Sequence, residues 1–143
     1  MASSPAITRP TEAAAARYGE RVGDGLQEGD RVALLVPGSL TYLTAVQSLL
    51  ARGVVPIPLD PRLTAYEREG IRGTLSPTVV VETEDALVRL VGDVGLPRAR
   101  PMHVTSGTTG TPKGVWSGLL APEDARALVD EERDLWGFTA TDV

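Results

Sequence analysis

The chain has 143 residues, 42% of them hydrophobic and 23% charged, a single-domain length and a composition too apolar for a disordered protein. Cysteine is absent and His103 is the one histidine, which excludes disulfides, thiolate metal sites, a cysteine nucleophile and multi-histidine metal centres. A net charge of −5 with 4% aromatics argues against nucleic acid as a partner, since that needs basic patches or stacking surfaces.

Residues 1–10 are small and polar and read as a loose arm, with residues 11–143 as the folded part. Residues 12–20 are Ala-rich and predict a helix ending near Gly23 and Gly25. Residues 31–36 (RVALLV) predict a buried strand stopped by Pro37 and Gly38. Ser39 is a fair N-cap for a helix whose apolar positions are Tyr42, Leu43, Val46, Leu49 and Leu50, with Gly53 at the C′ position. Residues 54–59 form a second apolar run, which Pro56 and Pro58 make an edge strand or a partly irregular one. A short helix over 64–75, a third strand over 78–82 (TVVVE), a helical turn over 85–91 and a short strand over 102–105 follow. Residues 121–136 predict an acidic helix with Pro122 at N1, Glu123 and Asp124 in its first turn, and a thin apolar face of Leu128, Leu135 and Trp136.

Strand, helix and strand with tight joints make a βαβ unit, and the pattern repeats. The expected class is therefore α/β, an open and mainly parallel sheet built from βαβ units. In such sheets ligands bind at the carboxyl ends of the strands. Residues 1–10 have no apolar core of a signal peptide, and no stretch approaches a membrane span. A cytoplasmic protein is expected.

The chemistry lies in residues 105–115, TSGTTGTPKGV. Thr105, Ser106, Thr108, Thr109 and Thr111 bring hydroxyl groups, and Gly107, Gly110 and Gly114 let consecutive backbone N–H groups converge on one point. Lys113 adds a full positive charge, and it is the one lysine among fourteen basic residues. Such a loop suits phosphate oxygens. It is neither a Walker A loop, because Pro112 precedes Lys113 and Gly114 follows it, nor a G-x-G-x-x-G fingerprint.

The run closely resembles the phosphate-binding signature of the AMP-forming adenylating enzymes, the superfamily of acyl-CoA synthetases, luciferases and peptide-synthetase adenylation domains. The segments GDRVALLVPGS (29–39), ARGVVPIPLDPRLT (51–64) and TVVVE (78–82) resemble that family's N-terminal subdomain in the same order. GVWSG (114–118) and LWGF (135–138) look most like bacterial fatty-acyl-CoA ligases.

The resemblance implies an ATP-dependent acid–thiol ligase. Such an enzyme joins a carboxylic acid to AMP with release of pyrophosphate, using Mg²⁺, and then passes the acyl group to CoA. Thr105, Ser106, Gly107, Thr108, Thr109 and Gly110 would wrap the phosphates and Lys113 would counter their charge. No counterpart of the family's later adenine, ribose, metal and catalytic-lysine elements is present. The chain therefore reads as an incomplete N-terminal subdomain, with no catalytic residue and no metal ligand of its own, and is expected to be inactive alone. The expected partners are ATP and a carboxylic acid, with self-association through an uncovered sheet edge. The alternative is a stand-alone, non-catalytic module that binds phosphate or a protein.

Other residues carry weaker signals. His103 could serve a Ser–His–Asp hydrolase, but no G-x-S-x-G elbow exists, and a structural histidine is the better reading. Asp60 follows a strand end, where turn formation with Pro61 explains it equally well. Asp130, Glu131, Glu132 and Asp134 point in different directions around a helix and read as a solvated face.

Overall fold

The computed structural model describes residues 25–106, 110–139 and 141–142. The expected arm and the expected helix over 12–20 lie outside the described residues, as do Gly107, Thr108 and Thr109.

Three strands, β1 (Arg31–Leu34), β2 (Val55–Pro58) and β3 (Val79–Val81), form a parallel sheet in the order β2-β1-β3. In the central strand Val32, Ala33 and Leu34 are all buried, an apolar run without alternation that suits a strand covered on both faces. Helix α1 (Leu40–Ala51) connects β1 to β2. Ser39 caps it, its hydroxyl accepting from the Tyr42 N–H at 3.0 Å. Gly53 closes it at φ +71°, where a Cβ would lie 2.9 Å from Glu28 Cγ. Helix α2 (Ala65–Leu75) returns to β3 and begins in a capping box in which Thr64 and Glu67 satisfy each other's backbone N–H groups. The short helix α3 (Glu84–Val88) follows, capped by Thr83.

Two apolar clusters pack on the sheet. In the first, Val32, Leu34, Val79 and Val81 meet Ala45 and Leu49 of α1 and Leu87 of α3. In the second, Val55 and Ile57 meet Ile71 and Leu75 of α2, together with Ala99 and Met102.

The expected α1 face needs one correction. Leu49 is buried and Tyr42 and Val46 pack against the first cluster, but Leu43 is 52% exposed. Besides Leu49, the buried positions of the helix belong to the small residues Ala45 and Ser48. The buried Ser48 hydroxyl is satisfied by the Thr44 carbonyl at 2.9 Å and by both backbone groups of Gly92.

The short strand near residue 103 does not extend this sheet. It is β4 (His103–Ser106), and it pairs antiparallel with a strand absent from the sequence reading, β5 (Pro112–Val115). The hairpin is tethered beside the sheet by the Met102 N–H, which donates to the Pro56 carbonyl at 2.8 Å and occupies part of the β2 edge.

Helix α4 (Pro122–Trp136) starts at Pro122 as expected and ends at Gly137 with φ +65°. Of its expected apolar face, Leu128 is half-buried, but Leu135 is 74% and Trp136 69% exposed. The helix docks instead through buried Ala125 and an ion pair between Arg100 and Glu132 at 3.0 Å.

Candidate functional site

The hairpin presents the residues singled out above. Register places Thr105 opposite Lys113 and Ser106 opposite Pro112. Thr105, Ser106, Gly110 and Lys113 are all solvent-exposed at this end. Gly110 has φ +76°, the left-handed conformation that glycine adopts without steric cost. The Thr105 hydroxyl donates to the Lys113 carbonyl at 3.4 Å, which joins the two strands where the turn begins.

Gly114 corrects the expectation that all three loop glycines serve positive φ. It lies in extended β5 and does not have a positive φ. What it lacks is room: a Cβ there would lie 2.6 Å from both Leu75 Cδ2 and Met102 Sδ.

Alternation along β4 and β5 sorts the hairpin into two faces. Met102, Val104 and Trp116 pack toward the second cluster. Beside the hairpin lies an open cleft of about 610 Å³, walled by Tyr66, Gly70 and Thr74 of α2 and by Val104, Ser106 and Pro112. The hydroxyl-rich end of the hairpin therefore opens both to solvent and to a largely apolar recess.

The loop after β2 is held by a residue that sequence reasoning did not single out. Arg68 donates from Nη2 to the Pro61 carbonyl at 2.7 Å and from Nε to the Leu63 carbonyl at 2.9 Å. Its Nη1 pairs with Glu82 at 2.6 Å. These contacts join the loop after β2 to the residue just beyond β3, at the carboxyl edge of the sheet. In the same loop Asp60 is titrated down to about 2, first by the side-chain hydrogen bond from Arg62 and then by the Arg62 backbone N–H.

His103 is exposed on β4, opposite Val115. In α4, Glu132 pairs with Arg100 and Asp130 with Arg133. Among the described residues no group of three or more His, Asp or Glu side chains could hold a metal ion, and no helix is long and apolar enough to cross a membrane.

A family model described as AMP-binding enzyme matches residues 11–104. The chain belongs to this family. Enterobactin synthase component F of Escherichia coli (strain K12) is 29% identical over 122 residues, covering 68% of the chain and 9% of that protein. The 2-succinylbenzoate–CoA ligase of Geobacillus kaustophilus is 30% identical over 154 aligned positions, covering 86% of the chain and 31% of the ligase. The chain thus spans less than a third of either relative. Among solved structures, the o-succinylbenzoate CoA synthetase of Bacillus subtilis in complex with its acyl-adenylate intermediate covers 96% of the chain at TM-score 0.54 and 19% identity, with 43% of that protein matched. At that identity the likeness establishes the fold, the N-terminal α/β architecture of adenylate-forming enzymes.

Proposed function

We propose that the β4–β5 hairpin is the phosphate-holding element of an ATP-dependent acid–thiol ligase, acting through Thr105, Ser106, Gly107, Thr108, Thr109, Gly110 and Lys113. The observation that supports this most is the pairing of Thr105 with Lys113 at an exposed end of the hairpin that also carries the left-handed Gly110. It sets a cation and a hydroxyl side by side. The family match ends at Val104, so the assignment of the turn rests on these residues themselves.

In the reaction this reading implies, a carboxylate oxygen bonds to the α-phosphorus of ATP and the bond to the leaving pyrophosphate breaks. Negative charge grows on that pyrophosphate, and the hairpin's work is to hold and neutralise it. Mg²⁺ would share that charge in the complete enzyme. The described residues offer no carboxylate set for it. The acyl group then passes to CoA. A fatty acid is the proposed substrate on the likeness of residues 114–118 and 135–138 to fatty-acyl-CoA ligases. Phosphate affinity is the property the chain itself carries, and acid-dependent ATP–pyrophosphate exchange by this chain alone is not expected. The sheet's β3 edge and the exposed Leu135, Trp136 and Phe138 make self-association part of the same proposal.

A competition titration tests the reading. ATP, GTP and inorganic triphosphate should bind with similar, salt-weakened affinity, and Lys113→Ala should remove most of it. A strong preference for ATP over GTP would reveal a base pocket and overturn the assignment of binding to phosphate alone.

A further inference from the structure

We propose that Gly114 is a positioning residue: its missing side chain lets the hairpin seat against Leu75 of α2 and against Met102, and this seat sets where Thr105 and Lys113 present their donors. The inference rests on the phosphate reading of the hairpin.

A Cβ at Gly114 would stand 2.6 Å from Leu75 Cδ2, 2.6 Å from Met102 Sδ and 3.2 Å from Met102 Cγ. Carbon atoms in contact sit about 3.5–4.0 Å apart, so one methyl group demands a displacement of about 1 Å. Neither neighbour can yield into solvent, because Leu75 is 3% and Met102 4% exposed and both belong to the second core cluster. The hairpin must lift, or the cluster must repack.

Lifting reaches the phosphate-facing residues through one peptide bond. Gly114 lies opposite Val104 in the ladder, and the next pair toward the turn is Thr105 with Lys113. Because strand residues alternate faces, a wedge beneath Gly114 tilts that pair away from the position the seat gives it. Binding groups that must act together tolerate about 0.5 Å of misplacement. Glycine is therefore required here by contact, whereas at Gly110 it is favoured by dihedral angle.

The experiment uses the chain as it stands, with inorganic triphosphate as the probe and nuclear magnetic resonance as the readout. Gly114→Ala should weaken triphosphate binding by about tenfold or more, since misplacement by an ångström can cost up to about a hundredfold. It should also speed amide exchange in β4 and β5 while leaving β1 unchanged. Gly114→Ala combined with Leu75→Ala vacates the space the methyl needs, and Met102, being unbranched, can follow. The double variant should recover affinity and exchange protection together. Gly114→Ala with unchanged affinity and exchange would overturn the proposal, as would a loss that Leu75→Ala does not restore. A Gly114→Ala chain that fails to fold is decided the same way, by whether the double variant folds. If the wild-type chain does not bind triphosphate, the phosphate reading fails, and the exchange pattern still decides whether Gly114 sets the seat.

Discussion

Replacing Arg68 separates two ways of holding the carboxyl edge of the sheet. Its guanidinium bonds two backbone carbonyls, of Pro61 and Leu63, and one carboxylate, of Glu82. A hydrogen bond to a charged group contributes about 1.5–3 kcal/mol, and the Arg68 side chain is 36% exposed, so water can replace part of it. The two carbonyl bonds together should then stabilise by about 2 kcal/mol. The ion pair is worth less. Glu82 is 53% exposed, and exposed pairs contribute about 0–1 kcal/mol. Arg68→Ala should therefore cost about 2–3 kcal/mol, and Glu82→Gln less than about 1 kcal/mol. Arg68→Lys should resemble Arg68→Ala, because a single ammonium cannot reproduce the planar fork that reaches both carbonyls. Urea unfolding reads this directly: with slopes of about 1–3 kcal/mol per molar, Arg68→Ala should lower the midpoint by about 1 M. The reasoning is refuted if Glu82→Gln costs as much as Arg68→Ala, or if Arg68→Lys costs nothing.

Ser48→Ala should cost about 1–2 kcal/mol in the same assay, since it strips both backbone groups of Gly92 of a buried partner; a neutral result would show that water enters freely there. Asp60 should titrate at about 2 by carboxyl chemical shift. Because its folded value lies below the ordinary one near 4, any stability it contributes is present above about pH 4 and lost as the pH falls toward 2. Arg62→Ala should return the midpoint to the ordinary range, and an unmoved midpoint would exclude Arg62 as the cause. Ser76 closes α2 at φ +45° without being glycine, so Ser76→Gly should stabilise by about 0.5–1 kcal/mol, and destabilisation would contradict that strain. Light scattering should show concentration-dependent association, whereas a monomer at every concentration would contradict the open-edge proposal.

The parallel sheet was legible because its signals are local. VALLV (32–36) is apolar without a break, Ser39 and Gly53 punctuate α1, and the two prolines suit β2 at an edge. The second strand of the hairpin was not, because Pro112–Val115 contains Pro and Gly and has no alternating pattern, so only pairing with residues 103–106 makes it a strand. Large side chains marked the expected face of α1, whereas Ala45 and Ser48 are buried there too, Ala45 in the first cluster and Ser48 against Gly92. Leu128 and Leu135, seven residues apart, have the spacing of a buried face, yet the described residues leave Leu135 and its neighbour Trp136 exposed. Within the site, residue types were readable and roles were not. Gly114 is recognisable as glycine, but its reason lies in Leu75 and Met102, 39 and 12 positions away. Arg68 had no signal at all, since two of its three partners are carbonyl groups.

Whether the β4–β5 hairpin holds phosphate is decided by a triphosphate titration followed at every backbone amide. Shifts should centre on Thr105, Ser106, Gly110 and Lys113, weakened by salt and largely removed by Lys113→Ala, with the β1–β3 amides unmoved. Shifts centred elsewhere, at the first turn of α4 for example, or binding that survives Lys113→Ala at full strength, would contradict a phosphate site there.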